Sequence, residues 1–209
     1  IGAGFRHLLE ENARAGHSCL PLDRFESLAC RCLEVGGSAF YDVYNEQLEE
    51  QLIFEYLKND RGFVYLSDYY CAESYIAGRI SVMQAFSSPD DYDYESLIDM
   101  EEEQNGIKYE SLQRKAITTA LSRGIMIMTG GPGTGKTTTL NAIISLYEKK
   151  GEEVMLAAPT GRAAKRMSDL TLREAKTIHR LLEVEFDAGG KLKFKHNETN
   201  PLECDVVVV

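Results

Sequence analysis

The clearest chemistry in this sequence lies in Gly130-Gly131-Pro132-Gly133-Thr134-Gly135-Lys136-Thr137, entered from the apolar run Ile125-Met126-Ile127-Met128. The spacing is G-x-x-x-x-G-K-[ST], and each residue type has a mechanical reason. Glycines let backbone N–H groups turn inward without interference from a Cβ, and the helix that follows adds its positive end. The product is a nest for a polyphosphate. Gly131, Gly133, Thr134 and Gly135 build the cradle. Lys136 reaches the β- and γ-phosphates, the Thr137 hydroxyl ligates Mg²⁺, and Thr138 is placed for the α-phosphate. The alternative is a glycine-rich turn that binds nothing.

Three further segments could do chemistry. Gln113, in Ser111-Leu112-Gln113-Arg114-Lys115-Ala116-Ile117, offers one donor and one acceptor to the edge of an adenine, although an exposed glutamine on a helix is common. Ala158-Pro159-Thr160-Gly161-Arg162-Ala163-Ala164-Lys165-Arg166 follows an apolar strand, at the end of a sheet where such folds place ligands. Thr160 and Gly161 can offer a hydroxyl and free N–H groups to a phosphate. Arg162, Lys165 and Arg166 crowd one short helix, suited either to a nucleic-acid backbone or to a solvated face. Last, Thr177 and His179 stand in Ala175-Lys176-Thr177-Ile178-His179-Arg180-Leu181-Leu182, where a lone histidine is more often packed than functional.

Taken in order, Gln113 with its neighbours, Gly130–Thr139, Ala158–Arg166 and Thr177–Leu182 resemble the opening motifs of RecD-like superfamily 1 DNA helicases. The similarity runs closely over 107–209 and more weakly over Gly16-His17-Ser18-Cys19-Leu20-Pro21 and Ala72-Glu73. The resemblance implies ATP and Mg²⁺ as cofactors. Gln113 would read adenine, with Gly131, Gly133, Thr134, Gly135, Lys136, Thr137 and Thr138 on the triphosphate and its metal. Thr160, Gly161, Arg162, Lys165, Thr177 and His179 would touch single-stranded DNA. It implies 5′-to-3′ translocation and unwinding of duplexes with a 5′ overhang, in DNA repair and recombination. Tyr109-Glu110-Ser111 departs from the Leu-Ser-like lead-in of that family. The run Asp205-Val206-Val207-Val208-Val209 looks like the strand preceding the family's Asp-Glu pair, so we expect a piece of a longer protein that hydrolyses ATP negligibly by itself. The rivals are another phosphate-loop ATPase and a nucleotide-gated module whose acidic N-terminal part docks a protein partner.

The 209 residues, 44% apolar and 27% charged, suit an ordinary globular protein of one or two domains. No apolar run approaches the ~20 residues of a membrane span, so a cytoplasmic protein without a membrane partner is expected. Five cysteines without a C-x-x-C pair read as reduced thiols. The net charge of −10 conceals an asymmetry: 1–106 carry 7 Lys/Arg against 21 Asp/Glu, whereas 107–209 carry 16 against 12. Phosphate contacts depend on local patches rather than on the sum.

The elements that must position these groups are legible as patterns. Apolar residues at 22, 25, 28, 29 and 33 predict a helix over Leu22–Leu33, followed by another over Ala39–Gln51 and a hairpin of Leu52–Leu57 with Phe63–Leu66. A long helix is predicted over Ser67–Phe86, with Tyr70, Ile76, Ile80 and Met83 on its apolar side. Together these read as a small, mostly α, winged-helix-like module over 1–86, structural or protein-binding in view of its few cations. Residues 87–108, with eight acids between Ser87 and Gly106, read as an acidic linker holding a helix near Tyr94–Gln104. Residues 109–209 read as an α/β phosphate-loop (RecA-like) parallel-sheet domain, partial in extent. Its expected elements are helix Glu110–Ser122, strand Ile125–Thr129, helix Lys136–Lys150, strand Glu153–Ala158, helices Gly161–Ser168 and Leu172–Leu182, a hairpin of Glu183–Phe186 with Lys191–Lys195, and strand Asp205–Val209.

Overall fold

A computed structural model of the chain describes residues 1–86, 93–186, 189–190 and 192–209. They fall into two compact units, Ile1–Val82 and Met83–Val209.

The first unit runs α1 (Gly2–Arg14), β1 (Cys19–Pro21), α2 (Leu22–Leu33), α3 (Gly37–Glu49), β2 (Ile53–Lys58) and β3 (Arg61–Leu66), and leads into α4 (Ser67–Phe86). Its sheet is antiparallel in the order β1-β3-β2, with Cys19 opposite Tyr65 and Ile53 opposite Leu66. This is winged-helix topology. The wing turns through Asn59 and Asp60, at φ +50° and +59°, the backbone that a two-residue hairpin loop needs to match strand twist. Apolar spacing on α1, α2 and α3 brings Phe5, Phe25 and Phe40 together with ring centroids 5.0–5.7 Å apart, and all three are fully buried. Edge-on packing of this kind adds to simple area burial. The helix α1 was not foreseen; it buries Phe5 and Leu9, with the half-buried Leu8 packed beside them. On α4, Tyr70 stacks on Phe54 at 4.6 Å, but Ile76 and Met83, expected on a buried side, are exposed.

The second unit contains α5 (Tyr94–Asn105), α6 (Ser111–Ser122), α7 (Lys136–Lys149), β4 (Val154–Ala158), α8 (Gly161–Thr171), β5 (Ala175–Thr177), α9 (Ile178–Leu181), β6 (Val184–Phe186), β7 (Leu192–Phe194) and β8 (Val206–Val208). It is an α/β domain on a parallel sheet in the order β5-β4-β8, with Leu156 opposite Ala175 on one side and Val208 on the other. The strands β6 and β7 form the expected hairpin, although Ala188 and Lys191 lie outside the described residues.

Three expectations need correction. The helix over Leu172–Leu182 is absent: α8 ends at Leu172 in left-handed backbone, Ala175–Thr177 joins the parallel ladder, and only Ile178–Leu181 is helical. Ladder hydrogen bonds to β4 outweigh a local helical rhythm, which is a weak prior. The strand expected at Ile125–Thr129 joins no ladder among the described residues. Ile125–Met128 and Val206–Val209 instead line a shared cavity of about 580 Å³. Finally, within the stretch expected to be a linker, α5 is a packed element. Tyr94 and Ile98 enter the core with Ile117, Leu121, Ile143 and Leu146. Four of the five carboxylates of α5 are paired: Arg114 bonds Glu95, Asp99 and Glu102, while Lys149 bonds the buried Glu101. Residues 87–92 lie outside the described residues.

Candidate nucleotide-binding site

The loop between Gly130 and α7 adopts the conformation that its composition requires. Gly133 and Gly135 sit at φ +79° and +77°, where a Cβ is penalised, and Gly135 caps the helix that Lys136 begins. Lys136 Nζ donates to the carbonyls of Gly130 at 2.7 Å and Gly131 at 2.6 Å, and Thr134 Oγ1 donates to Gly131 at 3.0 Å. The ammonium is thus folded over the mouth of its own loop. Gly131, Gly133 and Thr134 are exposed there, whereas Thr137 and Thr138 are half-buried in the first turn of α7. Thr139 is buried and donates its hydroxyl to the Gly135 carbonyl at 3.1 Å, which takes it out of ligand chemistry and pins the start of the helix.

Gln113 reaches the same loop from α6. Its Oε1 accepts the Glu110 N–H at 2.8 Å, closing a capping box, while a Cβ built on Gly135 would fall 2.2 Å from its Nε2. The amide therefore lies directly against the loop. The residue that departs from the family's lead-in, Glu110, starts the helix through that box, and Tyr109 before it is buried in the core. The family resemblance implied a place for Gln113 at the nucleotide, and its amide does lie against the loop.

The expected nucleic-acid residues gather at the C-terminal ends of two adjacent parallel strands. Ala158 of β4 pairs with Thr177 of β5, so the turns that leave them are neighbours. Thr160 caps α8 by accepting the Ala163 N–H at 3.2 Å, and Thr177 caps α9 by accepting the Arg180 N–H at 3.2 Å. Gly161, Arg162, Lys165 and Arg166 are exposed on the first two turns of α8. His179 is exposed as well, with its ring centroid 6.2 Å from that of Phe194 on β7. It is not packed into a core.

Two links between these regions escaped the sequence reading. Arg173 grips Glu148 of α7 with two hydrogen bonds of 2.6 Å and also donates to the Thr171 carbonyl. The guanidinium holds the Glu148 carboxyl below the ordinary carboxylate range, and the carboxylate in turn raises Arg173. Asn141, also on α7, donates to the Leu170 carbonyl at 3.2 Å. The two join the helix of the phosphate loop to the last turn of α8 and to the segment that follows it. Opposite charges 25 residues apart were the only signal in the sequence.

Among the described residues no cluster of His, Cys, Asp or Glu could hold a metal, and no helix is long and apolar enough to cross a membrane. Residues 113–209 match a family described as an AAA domain. The chain is 32% identical over 205 residues to the ATP-dependent RecD2 DNA helicase of Deinococcus radiodurans, covering 94% of this chain and 28% of that protein. It is 27% identical over 223 residues to the RecBCD enzyme subunit RecD of Haemophilus influenzae, covering 95% and 31%. To the RecBCD enzyme subunit RecD of Mycolicibacterium smegmatis it is 38% identical over 120 residues, covering 46% and 21%. The chain spans less than a third of the length of each of these relatives. The phosphate loop, the abutting glutamine and a match along 94% of this chain to a RecD2 protein agree, and each points to similarity with the RecD-like helicases.

Proposed function

We propose that these residues form the ATP-binding part of a 5′-to-3′ DNA helicase, and that alone they bind ATP with Mg²⁺ but hydrolyse it negligibly. The observation that carries this reading is the loop itself: two glycines in left-handed backbone ahead of a helix start, with Lys136 poised over it. Lys136 would exchange the Gly130 and Gly131 carbonyls for β- and γ-phosphate oxygens. Thr137 would hold Mg²⁺ together with phosphate oxygens and water, which fits a loop with no acidic cluster beside it among the described residues. The metal would supply charge neutralisation at the phosphates. Gln113 would read the adenine edge: its Oε1 keeps a second lone pair beyond the one facing Glu110, and its Nε2 has two N–H groups.

Thr160, Gly161, Arg162, Lys165, Thr177 and His179 are the proposed contacts to single-stranded DNA. Their support is the adjacency of the two strand ends and the exposed cations on α8. The decisive experiment titrates ATP into the chain with and without Mg²⁺. Micromolar binding that is lost in Lys136→Ala supports the reading, and unchanged affinity in that variant overturns it. Robust steady-state ATPase stimulated by single-stranded DNA would refute the expected inactivity of these residues alone.

A further inference from the structure

The acidic helix α5 makes an arrangement that neither the phosphate loop nor the strand-end cations use. Glu95, Asp99 and Glu102 repeat at i, i+4 and i+7, so all three stand on one helix face. A single guanidinium meets them. Arg114 donates through Nε and a terminal nitrogen to Glu95 at 3.2 and 2.6 Å, through that nitrogen to Asp99 at 2.8 Å, and lies 3.1 Å from Glu102. Glu95 and Asp99 are largely exposed, but the Glu102 side chain is only 14% exposed and also accepts the Tyr109 N–H at 2.8 Å. The first turn of α6 is therefore fastened to α5 at two points, just before its cap and four residues later. The neighbouring stripe of α5, one residue earlier at each position, is anchored separately through Tyr94, Ile98 and the Glu101–Lys149 pair.

We propose that Arg114 is a positioning residue for base recognition, bolting α6 to α5 so that the Gln113 amide is held against the phosphate loop at a fixed distance. Arg114 is adjacent in sequence to Gln113, whose amide lies close against the loop: its Nε2 is 2.2 Å from the point that a Cβ of Gly135 would occupy. A small displacement of the first turn of α6 therefore moves the donor and acceptor pair relative to any base seated beside the loop, whereas the loop's own amides and Lys136 stay in place. Misplacement by about an ångström is enough to cost a large factor in a geometry-dependent interaction. This inference rests on the reading of Gln113 as the adenine contact.

The test titrates ATP and GTP, each with Mg²⁺, into the wild-type chain and into Gln113→Ala, Arg114→Met, Arg114→Lys and Lys149→Met. The wild type prefers ATP and Gln113→Ala loses that preference. Arg114→Met lowers the ATP-to-GTP preference about five- to tenfold through weaker ATP binding, with GTP affinity within about twofold, and Arg114→Lys recovers part of it. Lys149→Met, which breaks the other anchor of α5, lowers the melting temperature but leaves the preference intact. If Arg114→Met does not fold, the combined variant Glu95→Ala, Asp99→Ala and Glu102→Gln takes its place, keeping an acceptor for Tyr109 while removing all three carboxylates that face Arg114. Wild-type preference in Arg114→Met (or in its substitute), with Gln113→Ala deficient, overturns the clamp but leaves the adenine reading standing. An equal loss of preference in Lys149→Met overturns the clamp too, because general loosening would then explain the effect. Wild-type preference in Gln113→Ala overturns both.

Discussion

The helices α3 and α8 show how little topology says about task. Each follows a strand or helix of a small α/β assembly and presents a polar face, yet their charges are opposite. Over Gly37–Glu49, α3 has three acids and no cation, although a third helix of this kind is the usual reader in winged-helix folds that bind DNA. Over Gly161–Thr171, α8 has three cations and one acid. A polyanion would be repelled by the first and drawn to the second. Fold fixed where a helix could sit; side-chain charge fixed what it could touch.

The comparison can be broken most forcefully at the core of the first unit. Phe25→Ala removes a fully buried ring from the Phe5–Phe25–Phe40 cluster and should destabilise that unit by about 3–5 kcal/mol, measured by denaturant unfolding. Nucleotide affinity is expected to survive wherever the second unit stays folded. A matching loss of ATP binding under native conditions would mean the two units depend on each other. In the second unit, Lys136→Ala should weaken ATP by about a hundredfold in calorimetric titration, while leaving the melting temperature nearly unchanged.

Charge supplies the next test. Replacing Arg162, Lys165 and Arg166 together with alanine should weaken single-stranded DNA binding about tenfold and flatten its dependence on salt by about two units of logarithmic slope. Replacing Asp42, Glu46 and Glu49 with their amides should change neither quantity. If the two triple variants behave alike, the distinction between α3 and α8 is wrong.

The smallest expected effect concerns Glu148 and Arg173. The carboxyl of Glu148 is depressed in the folded protein, so its contribution to stability is complete above the ordinary carboxylate range and disappears as pH falls through the lowered value. Arg173→Met should cost about 0.5 kcal/mol at pH 7, a modest figure because Glu148 is nearly half exposed, and the gap to wild type should narrow as pH falls below the ordinary carboxylate range. A gap that stays constant down to acid pH would assign the cost to lost packing of the arginine stem.

Much of this was legible where chemistry restricts residue type. The phosphate loop could be read because few sequences satisfy the backbone demands of Gly133 and Gly135 and also supply Lys136. The helix Ser67–Phe86 matched its pattern at both ends because Ser67 and Asp68 open it after a strand. The role of α5 was not legible: a run of acids without nearby cations looks solvated, and its partners stand far along the chain, Arg114 19 residues after Glu95 and Lys149 48 after Glu101. The short strand β5 was hidden for a related reason. Its partner is β4, and a three-residue ladder leaves no periodic trace of its own. Non-local pairing decided both.

The folded-over lysine has a consequence for selectivity. Because two carbonyls already solvate the Lys136 ammonium, an incoming anion gains only the margin by which it outcompetes them. A lone phosphate or sulfate offers little margin, whereas a triphosphate that also engages Thr137, Thr138 and the loop amides offers a large one. The two carbonyl contacts of Lys136 thus favour polyphosphates over small single anions.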